Sequence, residues 1–111
     1  MTTYKQGDIL LVPFPFTDQT AVKQRPAVVL SGAAYNQRHP DIILAPVTSH
    51  IGSIRDEARV AQWKMAGLLK PSAVKPILSS FDIRLVRRQL GSLSLSDLEA
   101  VRMLFSRVLE M

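Results

Sequence analysis

The sequence predicts a mainly β (α+β) fold, a small antiparallel barrel with helical additions, and three observations carry that prediction. Short apolar runs bounded by Gly, Pro, Asn or Asp crowd the first half of the chain. The tail changes to helical spacing. At 111 residues and 47% hydrophobic, the chain suits one core in a single domain spanning 1–111. A doubly wound α/β sheet would instead alternate strands with helices along the whole length.

The first run, DILLV after Gly7, reads as a core strand. Its apolar extension to residue 16 is no signal peptide, because it follows Asp8, lacks a basic leader and is interrupted by Pro13 and Pro15. It is read as a strand leaving into a loop, PFPFTDQTAVKQR, too rich in proline and polar residues for regular structure. PAVVLS from Pro26 and DIILAPVT from Asp41 are the next strands, and GAAYNQRHP between them holds a helical turn that ends before Pro40. EARVAQW contains a short strand, WKMAGLLK a turn that stops at Pro71, and SAVKPILSSF one further extended run. In the tail, Ser96 and Glu99 form a capping box, and Leu98, Val101, Leu104, Phe105, Val108 and Leu109 fall on one helical face. An amphipathic C-terminal helix follows.

No stretch approaches the roughly 20 apolar residues of a membrane-spanning helix, so the expected protein is soluble and cytoplasmic. The absence of cysteine excludes a disulfide framework and thiolate chemistry, and two histidines argue against a built-in metal site. Phosphate loops, dinucleotide fingerprints, G-x-S-x-G elbows and H-E-x-x-H motifs are all missing from the sequence. Net charge is +5, and it is concentrated: Lys64, Lys70, Lys75, Arg84, Arg87 and Arg88 face the single anion Asp82 across residues 64–88, while the other charges cancel. Such a section points to nucleic acid or phosphate, and equally describes a solvated basic face.

The residues left to do chemistry stand at strand ends. Arg25 precedes PAVVL, and Thr48-Ser49-His50 follow IILAPV. Neighbouring strands can bring a guanidinium fork and a hydroxyl to one spot, a pair matched to phosphoryl oxygens. Strand-terminal Thr-Ser is also ordinary turn chemistry. His50 is a candidate acid or base if the strand continues far enough to keep it on the face of Thr48, and is otherwise a loop residue. His39 reads as a surface turn residue and Trp63 as a packing residue. Phe14 and Phe16 are candidates either for stacking on a nucleobase or for anchoring the loop. Lys75, on the extended run, is placed to guide a nucleic-acid backbone; Arg84, Arg87 and Arg88 share that reading, are solvated or face a dimer partner.

Taken together, GDILLVPFPFTD, KQRPAVVLS, IILAPVTSH, WKMAGLLKPSAVKP and the LGSLS segment resemble, in order and over nearly the whole chain, the MazF/PemK toxins of bacterial type II toxin–antitoxin systems. The resemblance implies an SH3-like β-barrel, a homodimer, and sequence-selective, metal-independent cleavage of single-stranded mRNA with no cofactor. It also implies a cognate antitoxin with an acidic tail. It puts the catalytic arginine on Arg25 and the active-site threonine on Thr48, with RNA contacts at Phe16, Thr17, Gln24 and Ser49. Two rivals use the same fold: a CcdB-like poison of DNA gyrase, and an RNA-binding barrel that leaves its ligand intact.

Overall fold

Strands β1 (Asp8–Pro15) and β2 (Val22–Val29) form an antiparallel pair at the centre of the molecule. The computed structural model describes residues 3–15 and 22–111. After β2 come helix α1 (Ala33–Arg38), β3 (Asp41–Thr48), β4 (Ala58–Val60), β5 (Ser72–Val74), β6 (Ser79–Asp82), a 3-10 turn at Ile83–Leu85, β7 (Arg88–Ser92) and helix α2 (Leu95–Leu109). The sheet runs β4-β5-β3-β2-β1-β7, with β6 also pairing β3, and every pairing is antiparallel. It curls into a half-barrel with α2 behind it, a mainly β fold of the class that the sequence predicts.

The apolar runs are continuous because the central strands are buried on both faces. Ile9, Val28, Ala45 and Val47 face one cluster, which α2 covers through Leu98, Val101, Leu104 and Phe105. Their neighbours Leu10, Val12, Ala27, Val29, Ile42 and Leu44 face a second cluster, covered by Tyr4, Phe81, Ile83 and Val86. Trp63 packs against the first cluster, as its reading as a packing residue requires.

Three expectations need correction. The β1–β2 hairpin reaches Pro15 and Val22, so the described residues of the proline-rich segment, 13–15 and 22–25, are strand. The Leu11 carbonyl accepts from Arg87 N at 2.8 Å, so by alternation Pro13 and Pro15 turn their missing donors the same way, beyond the end of β7 pairing at Leu11. Proline there removes no ladder bond. SAVKPILSSF is two strands, β5 and β6, separated by residues 75–78. The cap of α2 is Ser94, whose side chain accepts from Asp97 N, two residues earlier than the Ser96–Glu99 box.

Where β7 bulges at Leu90, against Ile9 and Leu10 of β1, the 61–70 turn packs on it backbone to backbone. Gly67 has φ +85°, and any Cβ there would run into the Leu90 carbonyl. Asp97 locks the other end of this turn, its carboxylate accepting from Ala61 N at 3.0 Å and Gln62 N at 2.8 Å. Among the described residues no helix is long and apolar enough to cross a membrane.

Candidate nucleic-acid cleft

The cleft originates in a break along one edge of β3. β6 pairs with residues 41–44 of that edge and β5 with Val47 and Thr48. Between them stands Pro46, which has no N–H to give, and its carbonyl accepts from Lys75 N at 3.0 Å. The chain therefore leaves the edge over residues 75–78, turning through a 2.8 Å bond from Ile77 N to Lys75 O. That departure opens a cleft of about 510 Å³, lined by Pro46, Val47, Thr48, Ile77 and β6 on one side and reached by Arg25, His50 and Lys75.

On the opposite edge, β2 pairs with β3 from Ala27 and Pro46 onward. Extending that register by two residues sets Arg25 opposite Thr48, and the two-residue side-chain period keeps each on the face of its neighbour at the last pair. Thr48 is 9% exposed. Its Oγ1 accepts from His50 N at 3.0 Å, which fixes the hydroxyl and leaves its hydrogen to be donated. Arg25 is half-buried and flanked in sequence by Pro26, whose ring constrains its backbone. Lys75 is half-buried too, held at the end of β5.

Thus the structure brings Arg25, Thr48 and Lys75 together on one cleft. Gln24 and Ser49, each one residue out of phase with that face, are exposed and do not line it. Phe16 and Thr17 lie outside the described residues, as does the side chain of Phe14. His50 lines the cleft although β3 ends at Thr48, because the turn after the strand keeps it beside the hydroxyl. His39 is exposed and stacks on Tyr35, ring centroids 4.0 Å apart.

Sequence reasoning missed Ser79, Ser80 and Phe81, which β6 carries into the cleft wall. The signal was present in Pro46 and Pro76, two residues that interrupt facing ladders. The lining, among the described residues, holds two cations and several hydroxyls but no carboxylate. It is therefore suited to an anion. Arg84 is engaged elsewhere, 2.7 Å from Asp82, and its guanidinium hydrogen bond holds the Asp82 carboxyl down at about 2.

A curled antiparallel sheet backed by a C-terminal helix is the fold of MazF toxins of known structure. MazF from Deinococcus radiodurans superposes with a TM-score of 0.80 at 26% identity, over 100% of both chains. A MazE–MazF structure from the same organism gives 0.80 at 27% identity, covering 99% of each chain. The Mycobacterium tuberculosis toxin MazF-mt6 gives 0.78 at 20% identity, over 94% of this chain and 97% of that one, a likeness of fold. No curated protein matches the sequence. The family model described as PemK-like, MazF-like toxin of type II toxin-antitoxin system matches residues 5–109, and the chain belongs to that family.

Proposed function

We propose that residues 1–111 form one toxin domain that acts in the cytoplasm as a sequence-selective endoribonuclease on single-stranded mRNA, without a metal or other cofactor. The observation that carries this reading is that Arg25 and Thr48, from neighbouring strands, line one cleft that Lys75 also lines. The substrate's own 2′-hydroxyl attacks the adjacent phosphorus in line and expels the 5′-oxygen, leaving a 2′,3′-cyclic phosphate. The protein supplies no nucleophile. Its work is to hold the phosphate and stabilise the charge that builds on the phosphoryl oxygens. Arg25 does this with a planar fork of donors, and Thr48 with a hydroxyl already fixed by His50 N. DNA, which lacks the 2′-hydroxyl, is spared.

Family membership and the likeness to the MazE–MazF structure support a homodimer neutralised by a cognate antitoxin. An acidic antitoxin tail complements a cleft that contains Arg25 and Lys75 and no carboxylate among its described lining.

The test is incubation of the purified protein with a long unstructured RNA in EDTA, with fragment ends mapped. Discrete cuts ending in 2′,3′-cyclic phosphate are expected. One pre-placed donor is commonly worth about 3 kcal/mol of barrier, so Arg25→Ala slows cleavage on the order of 100-fold. Arg25→Lys keeps the charge, loses the fork and falls nearly as far. Intact RNA with folded wild-type protein would overturn the reading in favour of gyrase poisoning or passive RNA binding.

A further inference from the structure

The cleavage just described moves two protons, one off the 2′-hydroxyl and one onto the departing 5′-oxygen, and neither Arg25 nor Thr48 is suited to move them. A guanidinium does not release its proton near neutrality, and an alcohol holds its own more tightly still. Among the described lining residues there is one imidazole, that of His50, and imidazole is the side chain whose ordinary titration spans neutrality.

Its position is built. The His50 main-chain N–H donates to Thr48 Oγ1 at 3.0 Å, so the backbone that carries the ring is held against the hydroxyl that meets the phosphate. The His50 carbonyl accepts from Ser53 Oγ at 2.8 Å, and Gly52 N donates to Glu57 Oε2 at 2.9 Å, which tie down the turn that carries it. The charged groups sharing the cleft with it are Arg25 from β2 and Lys75 from the end of β5, with Glu57 joined to the same turn. His50 is exposed, so solvent reaches its ring.

Resting on the ribonuclease reading, we propose that His50 is the general acid of this cleft, protonating the 5′-oxygen as it leaves. In that step hydroxide from solvent takes the 2′-hydroxyl proton and becomes water, and the 2′-oxygen bonds to phosphorus. The phosphorus–5′-oxygen bond breaks, its electron pair goes to the 5′-oxygen, and that oxygen takes the proton from the His50 imidazolium. The neutral imidazole recovers a proton from water.

A short RNA spanning a mapped cut, made once with the natural linkage and once with sulfur in place of the bridging 5′-oxygen, tests this directly. A thiolate leaves without a proton. His50→Gln is expected to cut the natural linkage about 100-fold more slowly yet to cut the sulfur linkage at close to the wild-type rate, while Arg25→Ala is slow on both. Binding of a 2′-deoxy analogue should stay within a few-fold of wild type. Added imidazole should restore part of the activity of His50→Ala. The proposal is overturned if His50→Gln cuts natural RNA at the wild-type rate with an unchanged pH profile, or is equally impaired on both linkages. Wild-type protein that cuts neither linkage sinks the ribonuclease reading itself, a separate and recognisable result.

Discussion

Asp97 shows how much one side chain can decide. It is 4% exposed, and its carboxylate accepts from two consecutive main-chain donors, Ala61 N and Gln62 N. A polar group this buried is tolerated because both its oxygens accept hydrogen bonds, and truncating it leaves both donors without their acceptor at roughly 1–3 kcal/mol each. Asp97→Ala is therefore expected to cost about 3 kcal/mol, lowering the thermal midpoint by more than about 10 °C for a chain of this size. Differential scanning calorimetry measures it, and a midpoint within about 2 °C of wild type would remove the structural role assigned to the carboxylate. Sequence reading placed Asp97 only as one residue of a helical tail, because its partners lie 35 and 36 residues away. Arg25 and Thr48 were legible for the opposite reason. Each ends a run whose apolarity marks it as core, so a polar residue there stands at the lip of the sheet whatever the topology.

At the scale of elements, β1, β2 and β3 were readable because both their faces are covered, which leaves no polar alternation to mislead. β6 was read as extended but not separated from β5, since its pairing with β3 from Ser79 to Asp82 is a tertiary fact that the sequence does not show. The loop assigned to residues 13–25 failed because proline was counted as a breaker without asking which edge its missing donor faces. The start of α2 failed by two residues: Ser96–Glu99 has the spacing of a capping box, but Ser94 stands where the chain is still extended, at φ −64° and ψ 161°. Its Oγ accepts from Asp97 N at 3.2 Å. Ser94→Ala is accordingly expected to cost about 1 kcal/mol and Ser96→Ala, inside the first turn and exposed, to fall within about 0.5 kcal/mol of wild type. Urea denaturation of the two variants checks this, and the reverse order would return the cap to Ser96.

Over the whole molecule, the net charge of +5 is less informative than its arrangement after folding. The basic section at residues 64–88 pointed to nucleic acid or phosphate or to a solvated face, and only Lys75 of that section lines the cleft, where it joins Arg25 from a distant strand. Arg84 is cancelled by Asp82 at 2.7 Å. Because the Asp82 carboxyl is depressed from 3.8 to about 2, that cancellation is complete above the ordinary carboxylate range and is lost only as pH falls through about 2. Binding of a single strand should then depend on which cations meet phosphate and not on how many the chain carries. Each phosphate contact on a single strand contributes about 0.7 to the logarithmic salt slope. With a 2′-deoxy oligonucleotide that cannot be cut, Lys75→Ala is expected to flatten the slope by about that amount, and Arg84→Ala to leave it unchanged. Fluorescence anisotropy across a salt series at neutral pH separates the two. If Arg84→Ala flattens the slope as much as Lys75→Ala does, the strand is following the diffuse positive field of the molecule, and the cleft loses its claim to be where the phosphates bind.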